Sequence, residues 1–225
     1  MARFARLEVL NTIVNTGLAP VFYSGEVEIA KKVAWAIATG GCRLLEFTNR
    51  GDFAPEVFKE LSHFCQRDLP DLILGAGTIT DAPTAALYVA YGANFVVGPS
   101  LNPEVARFCN RRKIAYIPGC GSATEIASAE ELGAEIVKVF PGDAVGGPEF
   151  VKAIRGPSPW TRLMPTGGVQ ATRENLSAWF KAGVAAVGIG SDLIKREYLQ
   201  NNDWDALAAR TAAVLALIRE IRGTL

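Results

Sequence analysis

The chain has 225 residues, of which 49% are hydrophobic and 20% charged; 23 basic and 23 acidic side chains leave a formal net charge of zero. So much apolar material excludes a disordered, collagen-like or coiled-coil chain. A neutral total gives no long-range attraction to nucleic acid or an anionic membrane, so recognition of an anion has to be local.

The first residues, Met1-Ala2-Arg3-Phe4-Ala5-Arg6, hold no continuous apolar stretch ahead of a cleavage site, and nowhere do 18 apolar residues run together. A soluble cytoplasmic protein is expected, with no nucleic-acid and no membrane partner. An N-terminal helix opens the chain, and one plan then recurs. A helical stretch ends in alanine and glycine, and a short apolar or β-branched run follows. Strands are expected at 19–23, 42–47, 72–76, 93–97, 115–117, 134–140, 162–164 and 184–189. Glycine accepts the left-handed conformation that ends a helix, which explains Gly40-Gly41, Gly92, Gly133 and Gly183. The strands are near-continuous apolar runs, as in a parallel sheet covered by helices. Asn102-Pro103-Glu104 reads as an N-cap with proline at the first helical position, and Ser122-Ala123-Thr124-Glu125 as a capping box. No Ser/Gly-rich linker divides the chain, so residues 1–225 are expected to form a single domain. About eight such units close into an α/β (β/α)8 TIM barrel behind an N-terminal helix. An open dinucleotide-binding sheet is disfavoured, because no GxGxxG follows the first strand.

Two charged residues interrupt these strands. Glu46 shares a strand face with Leu44 and Thr48, and a carboxylate there is costly unless partnered. Lys138 shares a face with Ile136 and Phe140 before Pro141. The pair reads either as a buried ion pair or as an amine nucleophile beside a general base. At the ordinary lysine pKa only about 0.04% of the amine is neutral at pH 7; at a pKa near 7 about half is. Arg50, at a strand end, suits a bidentate grip on a carboxylate or else a surface salt bridge.

Pro165-Thr166-Gly167-Gly168 follows the seventh expected strand and Gly188-Ile189-Gly190-Ser191-Asp192 the eighth. Glycine-rich turns there expose backbone N–H groups and cradle a phosphate without net basic charge. Gly75-Ala76-Gly77-Thr78, Val97-Gly98-Pro99-Ser100 and Ile117-Pro118-Gly119 close the third, fourth and fifth strands. Cys42, Cys65, Cys109 and Cys120 form no CxxC pair and read as buried thiols; with His63 on an outer helix, no metal site is expected.

Leu45-Glu46-Phe47-Thr48-Asn49-Arg50, Gly75-Ala76-Gly77-Thr78, Val97-Gly98-Pro99, Ile117-Pro118-Gly119, Val137-Lys138-Val139-Phe140-Pro141 and Pro165-Thr166-Gly167-Gly168 stand in a specific order and spacing. In this the chain resembles the 2-keto-3-deoxy-6-phosphogluconate (KDPG) and 4-hydroxy-2-oxoglutarate aldolases, from about Pro20 to Ser191. The resemblance implies a class I aldolase, a homotrimer, that needs no cofactor because its substrate, a phosphorylated 2-keto acid, is held as an imine on Lys138. It implies Glu46 as general acid/base, and Arg50 and Thr78 as the grip on the pyruvate carboxylate. Pro99 and Phe140 would line that pocket, and Gly167, Gly168, Gly190 and Ser191 would lie in the phosphate-binding stretches. Asn49, Gly51, Ser100 and Gly142-Asp143 depart from the family's pattern around the mouth. Two other readings fit the same residues: a phosphate-binding barrel isomerase or epimerase without imine chemistry, and a non-catalytic sugar-acid binding barrel.

Overall fold

The computed structural model describes residues 2–224. Helix α1 (Arg6–Thr16) is followed by alternating strands and helices: β1 (Leu18–Phe22), α2 (Val27–Thr39), β2 (Leu44–Thr48), α3 (Ala54–Asp68), β3 (Ile73–Gly77), α4 (Ala82–Ala90), β4 (Phe95–Val97) and α5 (Pro103–Arg112). Then come β5 (Ala115–Ile117), β6 (Gly119–Cys120), α6 (Ala123–Glu131), β7 (Val137–Val139), α7 (Gly147–Arg155), β8 (Leu163–Pro165), α8 (Arg173–Lys181) and β9 (Val187–Ile189). Helices α9 (Arg196–Gln200) and α10 (Trp204–Gly223) complete the order.

All pairings between these strands are parallel, in a six-stranded order β5-β4-β3-β2-β1-β9 and a three-stranded order β6-β7-β8. The sheet is curled, as in a TIM barrel. The expected fifth strand is found as β5, and an additional two-residue strand, β6, follows Pro118, which has no N–H to give a ladder and so separates the two. The expected strand at 134–140 is only Val137–Val139, the three residues that find register partners in Leu163, Met164 and Pro165. Glycines end the helices as expected, with φ of 102° at Gly92, 85° at Gly133 and 93° at Gly183; in the first unit Gly41 takes that role at 86° and Gly40 does not. Gly40 is required for another reason. A Cβ there would lie 2.6 Å from the Ala208 carbonyl of α10, so it lets α10 pack closely on α2.

Asn102 caps α5 by accepting from the Glu104 and Val105 amides. Ser122 caps α6 by accepting from Glu125 N–H, while the Glu125 carboxylate takes the amide of Gly121 rather than that of the cap residue. The four cysteines are free and buried, and burial raises each thiol to about 12. Among the described residues no helix is long and apolar enough to cross a membrane.

The N-terminal segment runs across the ends where strands begin. Arg3 donates to the carbonyls of Cys65 and Leu72, and Arg6 to Asn110, Glu135 and the Gly133 carbonyl. The buried Asn94 side chain accepts from the Arg3 and Phe4 amides and donates to the carbonyls of Leu74 and Gly92. Because Asn94→Ala takes the side-chain partner from the Arg3 and Phe4 amides and the Gly92 carbonyl, while the Leu74 carbonyl keeps the residue-94 amide, it should lower unfolding stability by about 2–3 kcal/mol, read from urea melts at constant m-value.

Candidate active site

Strand β2 carries Glu46 inward, in register with Val21 of β1 and Gly75 of β3. The side chain is 1% exposed, and neither carboxylate oxygen has a hydrogen-bond partner among the described residues. Space for it is made by Gly77, where a Cβ would lie 1.9 Å from Glu46 Oε1. Lys138 enters from β7, 6% exposed, with its amine 4.8 Å from the centre of the Phe140 ring. Among the described residues no cation stands within ion-pair distance of Glu46. The two groups nonetheless sense each other. Burial pushes the Glu46 carboxyl above its ordinary range, and the charges of Lys138 and then Arg50 pull partly back. A closed ion pair, one of the two sequence readings, is therefore not formed. An amine and a carboxyl whose proton affinity is raised by burial lie within electrostatic reach of each other in the interior.

A cavity of about 410 Å³ opens where the strands finish; Glu46 and Lys138 are not in its wall, but Thr48 and Phe140, two residues further along the chain from each, are. It brings together six of the expected residues: Arg50, Phe140, Gly167, Gly168, Gly190 and Ser191. Gly167 and Gly168 have φ of 87° and 80°, and a Cβ on Gly168 would lie 2.1 Å from Asp143 Cβ, so larger residues cannot form this turn. The turn is stitched to the neighbouring loop by Gly142 N–H to the Thr166 carbonyl and Asp143 N–H to the Gly167 carbonyl. Gly190 begins a single helical turn, its carbonyl accepting from Leu193 and Ile194. Arg50 is exposed at the rim and its guanidinium has no hydrogen-bond or ion-pair partner among the described residues.

Thr78 and Pro99 are not part of that cavity's wall; they stand half-buried where β3 and β4 end. Thr78 has φ of 60°, a left-handed conformation that costs a β-branched residue about 1–3 kcal/mol and recurs at functional sites. Sequence reading assigned no role to several residues that the cavity recruits. Tyr23, Thr48 and Thr166 line it, and the buried Thr166 hydroxyl has no partner. Asp192 also lines it, accepting from Ala171 N–H at 2.6 Å while Arg210 donates to its carboxylate and its carbonyl. That carboxylate ties the two glycine turns together, and Arg210 offsets its charge beside a site suited to an anion. Among the described residues no three His, Cys, Asp or Glu side chains gather as a metal ion's ligands would.

Residues 9–210 match the family described as KDPG and KHG aldolase. The 2-dehydro-3-deoxy-phosphogluconate aldolase of Treponema pallidum is 32% identical over 94% of this chain and 98% of its own. The KHG/KDPG aldolase of Escherichia coli K12 is 30% identical over 87% and 90%. The KDPG aldolase of Legionella pneumophila, solved with pyruvate captured at low pH as a covalent carbinolamine intermediate, superposes with a TM-score of 0.82 at 30% identity over 90% of this chain and 96% of that one.

The raised Glu46 pKa makes a stability statement. Between the ordinary glutamate pKa, about 4.3, and the higher folded value, the folded state holds a proton that the unfolded state has lost, so stability falls as pH rises through that window. Glu46→Gln lacks this loss. The variant should match wild type below about pH 4 and exceed it at neutral pH by about 1.4 kcal/mol per tenfold weakening of the Glu46 acid, measured by urea unfolding from pH 4 to 8.

Proposed function

The chain belongs to the KDPG and KHG aldolase family, and from that premise we propose that it is a class I aldolase working through Lys138 and Glu46. It cleaves 2-dehydro-3-deoxy-6-phosphogluconate to pyruvate and glyceraldehyde 3-phosphate, and 4-hydroxy-2-oxoglutarate to pyruvate and glyoxylate. The observation that carries this reading is an unpaired buried carboxyl within the electrostatic reach of a buried lysine.

The neutral Lys138 amine attacks the C2 ketone, and loss of water leaves a protonated imine that draws electrons from the C3–C4 bond. Glu46 takes the C4 hydroxyl proton as that bond breaks and the aldehyde departs. The remaining enamine is protonated at C3, and water then releases pyruvate and restores the amine. The imine replaces one high barrier with several lower ones and needs no cofactor, since the lysine itself supplies the electron sink. Acid/base work of this kind contributes about 10²–10⁴-fold.

In this reading Arg50 and Thr78 hold the carboxylate of the 2-keto acid, and Pro99 and Phe140 shape the pyruvate half. Gly167, Gly168, Gly190 and Ser191 take the phosphate on backbone N–H groups. The apolar Phe140 ring under the Lys138 amine and the glycine turns on the cavity wall support these roles. The same reading includes an eight-stranded barrel formed by residues 1–225 as one domain. Its support is the near continuity of β5 and β6 across Pro118 and the bridge from Thr166 to Gly188, which links the β8 and β9 ends. A cytoplasmic homotrimer rests on the family resemblance alone.

Borohydride with pyruvate should add one reduced pyruvyl group at Lys138, found by peptide mass, and Lys138→Ala should abolish both labelling and pyruvate release followed with lactate dehydrogenase. An enzyme that turns over fully with Lys138 unlabelled would fit an epimerase-like barrel instead, and pyruvate binding without turnover would fit a binding protein.

A further inference from the structure

Arg50 receives no side-chain support of its own, so the direction of its guanidinium is set by the backbone of the loop that follows β2. That backbone is fastened below by Asn49 N–H to the Gly77 carbonyl at 2.8 Å. On either side of Arg50, a phenol closes on the loop. The Tyr88 hydroxyl of α4 lies 3.0 Å from the Asn49 side-chain carbonyl and donates to it, from a residue with no exposed surface. At Gly51 a Cβ would fall 1.9 Å from the Tyr23 hydroxyl, so the phenol occupies the volume that any side chain at 51 would need.

One packed row of rings joins the two phenols, from the buried Tyr88 to Tyr23 on the cavity wall. Tyr23 lies 5.8 Å from Phe47, Phe47 lies 5.9 Å from Phe58, and Phe58 lies 4.9 Å from Tyr88, centre to centre. Aromatic rows of this kind are stiff, because each ring is fixed by the next. Asn49 and Gly51, the positions where this chain departs from its family's pattern beside Arg50, are thereby matched to Tyr88 and Tyr23.

We propose that Tyr88 and Tyr23 are positioning residues for Arg50: through Asn49 and Gly51 they hold the loop with the guanidinium aimed into the cavity, ready for the carboxylate of a 2-keto acid. Without them the loop samples other directions, and apparent affinity falls with the fraction of molecules correctly arranged. The proposal rests on the reading of Arg50 as the carboxylate anchor.

Tyr88→Phe removes one hydrogen bond and should raise the pyruvate concentration for half-maximal borohydride labelling about three- to ten-fold. KM should rise by the same factor for 2-dehydro-3-deoxy-6-phosphogluconate and for 4-hydroxy-2-oxoglutarate, with kcat within about twofold, since both present the same carboxylate. Gly51→Ala should act in the same direction by displacing Tyr23. The double variant Asn49→Leu, Tyr88→Phe lacks the same single hydrogen bond and should raise half-saturation no further than Tyr88→Phe does, since the two residues act through one contact. Variants that melt earlier but keep wild-type half-saturation would overturn the proposal, as would a KM increase confined to the phosphorylated substrate. Wild-type protein that pyruvate and borohydride fail to label would overturn the aldolase reading itself, and the proposal with it.

Discussion

A carboxyl group kept dry without a partner, in the electrostatic reach of an equally buried amine, is the constraint to which the rest of the molecule is fitted. Glu46 is 1% exposed and its oxygens touch no donor among the described residues. Burial favours the protonated acid, and the nearby charges of Lys138 and Arg50 favour the anion. Burial prevails and the charges offset it in part, which suits the proposed role of a group that takes and returns a proton. A direct ion pair would remove this balance by stabilising the carboxylate and the ammonium together, leaving no amine lone pair for attack. The fold avoids that outcome through geometry. Glu46 stands on β2, Lys138 on β7 in the other sheet, and Gly77 vacates the space the carboxyl occupies.

The rim shows the same economy of side chains. Among the described residues the cavity wall holds one cation, Arg50, together with the backbone turns at Gly167-Gly168 and Gly190-Ser191 to which the proposed reading gives the phosphate. A phosphate bound on amides needs those amides held still, because each hydrogen bond to a charged group contributes about 1.5–3 kcal/mol only when its geometry is kept. Asp192 and Arg210 supply that stiffness from behind, and the packed rings from Tyr88 to Tyr23 supply it for the opposite side of the mouth. Thr78, strained at φ 60°, is the one expected anchor whose cost is borne by its own backbone.

What the sequence makes legible is what is local. A glycine after an alanine-rich helix followed by an apolar run announces each strand–helix unit, and a glutamate or lysine inside such a run stands out without any knowledge of its neighbours. Lys138 and Glu46 are legible in that way. Strand limits are not local. The run 134–140 is largely apolar, yet only three residues find partners on β8, and a two-residue strand, Gly119–Cys120, resumes after Pro118 where the sequence announces none. Nor does sequence reveal supports that join distant positions: Tyr88 reaches Asn49 across 39 residues and Arg210 reaches Asp192 across 18. Asn49 and Gly51 looked like departures from a pattern, and only the packed structure supplies their partners.

The account stands most directly on the acidity of Glu46. Infrared difference spectra of protein carrying ¹³C-labelled glutamate, recorded as pH is raised, isolate its protonated carboxyl band by comparison with Glu46→Gln. That band should persist after the exposed glutamates have ionised, and in Lys138→Met it should persist to still higher pH, because the lysine charge that favours the anion is gone. A Glu46 band that disappears together with those of the exposed glutamates, unmoved by Lys138→Met, would contradict the account.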